Sequence, residues 1–249
     1  MSKLIKVLIM LVMVLSLPMA TAFAHDGHGK DSLVALGDSI PFGFDPQATN
    51  EQPAKHAYPY LMGDKADVKV RNMGVPGWKT TELLAALEHN KKFRQAVKRT
   101  DYVTLHIGSN DFLEVLRAAS IESGGDADLF HRLLQQKLAA SPVYENLENI
   151  IDEIRSLTRA RIVLYNIYNP FQLNDPLHQV SDLYLPQING AYQDLADSYK
   201  KVQLADAYSA FGDKQAKYLI PGDIHPSKAG HSKLAKIGLR SLHRAYAYH

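Results

Sequence analysis

The chain has 249 residues, enough for one sizeable α/β domain and a short leader. Hydrophobic residues make up 46% and charged residues 22%, which excludes a disordered or fibrous chain. With no cysteine there is no thiolate metal centre, cysteine nucleophile or disulfide, and a formal charge of +2 gives no electrostatic case for nucleic-acid binding.

In chain order, the first 24 residues read as a signal peptide. Lys3 and Lys6 give a basic start, Val7 to Leu17 is apolar apart from Ser16, and Ala22-Phe23-Ala24 has the A-x-A form of a cleavage site. The apolar run is short for a membrane span, and no cysteine follows it to carry a lipid. A secreted or extracytoplasmic protein cleaved after Ala24 is expected, with no stable membrane span afterwards. The alternative is retention as an N-terminal anchor. Cleavage removes two lysines and no acid, leaving basic and acidic residues equal in number. Residues 25–31, which include His-Asp-Gly-His-Gly-Lys, read as a flexible linker; two histidines beside an aspartate fix no ligand geometry there. A single domain over 32–249 follows.

Within it, strand and helix signals alternate. Ser32 to Leu36 is an apolar run ending at Gly37, and Val68 to Asn72 alternates up to Gly74. Thr80 to Leu87 has helical spacing with a threonine at its start. Tyr102 to Ile107 is β-rich and stops at Gly108. Tyr144 to Leu157 places Leu147, Ile150, Ile151, Ile154 and Leu157 on one helical face. Arg161 to Ile167 is a strand, Leu183 to Tyr199 a helix, Val202 to Ala205 a last strand and Ser227 to Tyr246 a closing helix. Phe112 to Ser141 is the least regular stretch and reads as an excursion of loop and helix above the sheet. Five short strands separated by helices predict a parallel sheet covered on both faces.

Sites in such sheets form beyond the C-terminal strand ends. Three of those ends carry unusual sequence: Gly37-Asp38-Ser39, Asn72-Met73-Gly74 and Gly108-Ser109-Asn110-Asp111. A fourth cluster, Asp223-Ile224-His225-Pro226, precedes the last helix. Ser39 at a tight turn near free N–H groups suits a nucleophile, or equally a helix cap. Gly74 can bring its N–H close to an anion, or serve only as a turn. The Asn110 carboxamide can donate to a developing negative charge, or belong to an ordinary turn. His225 suits a general base, with Asp223 two residues earlier as its acceptor. His106 lies in a buried-strand pattern, whereas His56, His89, His131 and His243 read as surface residues. No histidine has metal-ligand spacing.

Taken together, these blocks resemble the SGNH/GDSL hydrolase family: ALGDSI, NMGVPG, GSND and DIHPSKAGH stand for its serine, glycine, asparagine and histidine blocks, from about Leu33 to Gly230. The resemblance implies an α/β class protein, a three-layer α/β/α sandwich of flavodoxin-like form with a five-stranded parallel sheet and no metal or other cofactor. It implies Ser39 as nucleophile, His225 as base, and Ser39 N–H, Gly74 N–H and the Asn110 side chain as an oxyanion hole. One feature departs from the family, which spaces its acid three residues before the histidine. That position is Gly222 here, so either Asp223 or a backbone carbonyl orients His225.

The function expected is a secreted serine ester hydrolase (esterase, lipase or acylhydrolase) working through an acyl-serine. Its partner would be a small-molecule or lipid ester, not a nucleic acid. Alternatives are a non-catalytic cell-surface binding protein and a deacetylase of acetylated carbohydrate. A nucleotide binder would need a glycine-rich phosphate loop after the first strand, which is lacking. Leu113, Val115, Leu116, Leu129, Phe130 and Leu133 could line an acyl groove or form the inner face of a covering helix. Trp78 is placed to flank the site.

Overall fold

The computed structural model describes residues 30–244, with side chains to 242. The leader, all but the last two residues of the 25–31 linker, His243 as a side chain and the end of the closing helix lie outside the described residues. Five strands, β1 (Ser32–Gly37), β2 (Lys69–Gly74), β3 (Tyr102–His106), β4 (Arg161–Tyr165) and β5 (Val202–Ala205), form one all-parallel sheet in the order β2-β1-β3-β4-β5.

The strand sequences explain that order. The inner strands β1, β3 and β4 are buried at every position but the first, as their largely apolar sequences suit, with Thr104 and His106 of β3 the buried polar exceptions. The edge strand β2 alternates exposed and half-buried residues before its last two positions. Successive residues serve opposite cores. Val34 and Leu36 of β1, Val103 and Leu105 of β3, and Ile162 and Leu164 of β4 face one side. Leu33, Ala35, Val163 and Tyr165 face the other.

The helices are α1 (Ser39–Phe42), α2 (Tyr58–Ala66), α3 (Thr80–His89), α4 (Lys91–Lys98), α5 (Ser109–Ser123), α6 (Ala127–Ala139), α7 (Val143–Leu157), α8 (Pro176–Ser198), α9 (Ala207–Phe211), α10 (Gln215–Tyr218) and α11 (Lys228–Arg244). The first core packs the sheet against α3, α4, α7 and α8; the second packs it against α2 and α11. Leu147, Ile150, Ile151 and Ile154 of α7 are fully buried, at about 1.5–3 kcal/mol of burial free energy each. None of these helices is long and apolar enough to cross a membrane.

Two regions differ from the sequence reading. Residues 112–141 are more regular than expected. They lie in a helical hairpin, α5 and α6, joined by Gly124 and Gly125 at φ 57° and 95° and restarted by the Asp126 carboxylate, which accepts from Leu129 N–H at 2.8 Å. Helix α8 starts seven residues before Leu183, because Asp175 caps Leu177 N–H at 2.8 Å and Pro176 takes the first helical position. It runs on through Pro186 and is fixed to the sheet by Asn189, whose carboxamide accepts from Ile167 N–H and donates to Ile167 C=O.

Candidate active site

Strands β1 and β3 are neighbours whose following helices start the site, at the point where strand order reverses. The turn after β1 is forced by close packing. Gly37 has φ 146°, and a Cβ there would stand 1.9 Å from the His106 carbonyl oxygen. Asp38 is fully buried and its Oδ1 accepts from Ile40 N–H at 2.9 Å, capping α1. Ser39, the first residue of α1, is therefore held at the helix N-terminus. Its own N–H is not among the groups used in the turn's hydrogen bonds. Burial pushes the Asp38 carboxyl up to about 7, with a further push from Asp111 and an opposing pull from Ile40 N–H.

The histidine loop is pinned from both sides. Ile220 N–H donates to His225 C=O at 2.9 Å and Ser227 N–H to Tyr218 C=O at 2.8 Å, so residues 219–226 close on themselves. Gly222 takes φ 74° at the bend. Asp223 then folds forward: its Oδ1 accepts from His225 N–H at 2.8 Å and meets His225 Nδ1 at 2.5 Å. This Asx-type turn explains why an acid only two residues before the histidine reaches the ring. His225 Nε2 lies 2.9 Å from Ser39 Oγ. The ring packs against Phe44 with centroids 4.7 Å apart, and Tyr168 supports the loop by donating to Ile224 C=O at 2.9 Å.

Asn110 lies in the first turn of α5, and its Nδ2 donates to Trp78 C=O at 2.8 Å. That bond leaves the second amide hydrogen unused by it. Next to it, the buried Asp111 carboxylate accepts from Thr80 N–H at 3.0 Å and Thr80 Oγ1 at 2.6 Å, tying α5 to the 75–79 turn. Asn146 of α7 donates to the same Thr80 oxygen.

Gly74 departs from the role expected of it. Its N–H donates to the Asn72 carboxamide oxygen at 3.0 Å and is already engaged. A Cβ on Gly74 would stand 2.7 Å from Phe42 N and 2.9 Å from Asp38 O, so the glycine lets β2 pack against the turn that bears Ser39. Three residues on, Gly77 has φ 82°, a Cβ built on it would meet nothing within 4 Å, and its N–H is not among the turn's backbone hydrogen bonds. The Trp78 ring also differs from expectation. It stacks on Phe93 at 5.3 Å, while the Trp78 carbonyl meets Asn110.

Beside Ser39 and His225 opens an apolar cleft. Leu113 and Leu116 line it, as the groove reading expects, together with Leu134 and Leu138 of α6 and Tyr184 and Leu185 of α8. Val115, Leu129, Phe130 and Leu133 are not among its lining residues. His106, fully buried, stacks on Tyr165 at 5.0 Å, and burial lowers its imidazole to about 3. Among the described residues no three histidine, aspartate or glutamate side chains gather as a metal site.

A hydroxyl, an imidazole and a carboxylate in hydrogen-bonded series, set at the strand ends of a five-stranded parallel sandwich, define an SGNH-type hydrolase fold. The chain belongs to the GDSL-like Lipase/Acylhydrolase family, whose model matches residues 35–233. It is similar to YpmR, an uncharacterized protein of Bacillus subtilis (strain 168), with 29% identity over 221 residues, 86% of this chain and 82% of that protein. Among solved structures it resembles the lipase Lip_vut3 from a goat rumen metagenome, with 26% identity, a TM-score of 0.66, and 85% and 96% of the two chains covered. It shares the fold of phospholipase A1 from Streptomyces albidoflavus NA297, with 19% identity, a TM-score of 0.67, and 86% and 100% covered.

Proposed function

We propose that this protein is a secreted carboxylic ester hydrolase acting through an acyl-serine. The observation that carries the reading is the unbroken series Asp223 Oδ1–His225 Nδ1 (2.5 Å) and His225 Nε2–Ser39 Oγ (2.9 Å) at the mouth of an apolar cleft. With Nδ1–H donated to Asp223, Nε2 carries the free lone pair and accepts the Ser39 proton. Ser39 Oγ then bonds to the ester carbonyl carbon, and the carbonyl electrons move to its oxygen. Collapse of that oxyanion breaks the bond to the alcohol, which takes the proton from His225. Water adds to the acyl-serine by the same steps in reverse order of partners, releasing the acid and restoring Ser39. Ser39 N–H and the second Asn110 amide hydrogen are the first donors for the oxyanion. The backbone donor expected from Gly74 is better supplied by Gly77 N–H, because Gly74 N–H is engaged with Asn72. The cleft's apolar lining and the family's lipase and acylhydrolase description favour an acyl ester over an acetylated carbohydrate. The basic start, apolar run and A-x-A site support export.

The test is hydrolysis of p-nitrophenyl butyrate, with fluorophosphonate labelling of the purified protein. Label on Ser39 and a loss of several orders of magnitude in Ser39→Ala are expected. Neither turnover nor label would return the chain to a non-catalytic binding role.

A further inference from the structure

Next to the Ser39 cleft lies a second, half-open cavity. The two share three wall residues, Leu138 of α6 and Tyr184 and Ile188 of α8. Those side chains therefore stand as a partition between one space that contains the reactive serine and another that does not. Tyr184 is held in place from across the cleft: its hydroxyl is 3.0 Å from His131 Nδ1 on α6, and the two rings stack with centroids 6.1 Å apart.

The first cleft has a length as well as a volume. Its α8 wall runs from Val180 to Ile188, about 12 Å at 1.5 Å per residue. An extended alkyl chain advances about 1.3 Å per carbon from bonds of about 1.5 Å, so a wall of that length gives room for about eight to ten carbons. The second cavity includes Gln135 and Gln187 in its lining, a poorer environment for further methylenes than the leucines of the first.

We propose that the acyl chain of the substrate lies in the first cleft with its end against Leu138, Tyr184 and Ile188. Tyr184, braced by His131, then sets the upper limit of chain length, and the substrate class is esters of medium-chain, unbranched fatty acids. This rests on the acyl-serine reading above. The chain-length limit, however, is a property of the cavity and is measurable without turnover.

The experiment compares p-nitrophenyl acetate, octanoate, decanoate and palmitate in the wild type, Tyr184→Ala and Leu138→Phe, read as ratios within each protein. In the wild type, kcat/KM should be highest at octanoate or decanoate and about tenfold or more lower at palmitate, since each methylene that finds no apolar wall forfeits its burial. Tyr184→Ala joins the two cavities and should raise the palmitate-to-octanoate ratio about tenfold. Leu138→Phe shortens the cleft and should lower the decanoate-to-octanoate ratio, so either variant is informative if the other does not fold. In parallel, calorimetry on Ser39→Ala with octanoate, decanoate and palmitate as free acids should show the same order of affinity. An acetate optimum in the wild type, or unchanged ratios in folded variants, overturns the proposal while leaving ester hydrolysis intact. Absence of all turnover with the chain-length order preserved in binding would overturn the acyl-serine reading and keep the cavity assignment.

Discussion

The strand-end floor of the site and the α5–α6 hairpin beside it are built to different tolerances. On the floor, Cβ atoms added to Gly37 or Gly74 would fall within 3 Å of backbone atoms, and the Asp38, Asn72 and Asp111 side chains accept from the N–H groups of Ile40, Gly74 and Thr80, Asp111 also from the Thr80 hydroxyl. In the hairpin, α6 buries a single residue, Leu134, and Ile121 near the end of α5 is 68% exposed. The lesson is a division of labour. The strand-end positions are over-determined by packing, whereas the outward face of the hairpin can change in sequence at small cost.

After the loss expected of Ser39→Ala, the largest effect should come from the Asp223 carboxylate. Asp223→Ala is expected to lower kcat by about 10⁴, because it removes the acceptor on Nδ1 that fixes the His225 tautomer and steadies its protonated form. Asp223→Asn should lose less. One oxygen, Oδ1, takes both the His225 N–H and the ring Nδ1, so an amide oxygen can keep both bonds and only the charge is lost. Equal losses in the two variants, in steady-state kinetics with p-nitrophenyl butyrate, would contradict that geometry.

Next in size is the oxyanion side. Asn110→Ala should lower kcat about 10²–10³-fold with a smaller change in KM, because its donor acts on charge that develops in the transition state. Asp111→Ala should move kcat in the same sense by releasing the 75–79 turn, while Asp111→Asn, which keeps an acceptor for Thr80, should recover most of it. A rise in KM alone in either position would assign these residues to ground-state binding.

A smaller effect separates the floor from its support by pH. His231 is buried, and its Nδ1 accepts from Tyr58 N–H at 3.3 Å, so the folded protein needs the neutral ring. Burial, with help from the neighbouring histidines, lowers it to about 3. A lowered basic group binds its proton more readily when unfolded. Stability from His231 and from His106, likewise lowered to about 3, is therefore full above about 6.5 and lost as pH falls toward 3. Asp38, raised to about 7, works in the opposite direction and loses stability as pH rises from about 4 to 7. Two groups outweigh one, so thermal unfolding should show Tm falling from pH 6 to pH 4. Asp38→Asn should steepen that fall and His231→Asn should flatten it. The smallest effects belong to the hairpin. Ile121→Ser should leave stability within about 0.5 kcal/mol, and amide exchange should be faster over residues 127–139 than over 147–157.

The five strands, their parallel arrangement and the family were legible in sequence because each rests on local signals. Apolar runs buried on both faces differ from alternating edges, and the four blocks keep their residue types in short windows. Ser39, Asn110, His225 and Asp223 could be named for the same reason. What the sequence left open was decided by atoms distant in the chain. The choice between Asp223 and a backbone carbonyl turned on the closure of residues 219–226, and the engagement of Gly74 turned on where the Asn72 side chain points. Both are matters of which way a side chain or loop turns in the folded chain, which residue type does not encode. The early start of α8 was written in Asp175-Pro176, a cap that periodicity alone passes over. The partition at Leu138 and Tyr184 has no sequence signature, because it exists only where two helices 46 residues apart in sequence, at those positions, come to face one another. Sequence by itself determined which residue types stand at the strand ends; only the tertiary packing decided which of their donors are engaged and which side chains wall the cleft beside Ser39.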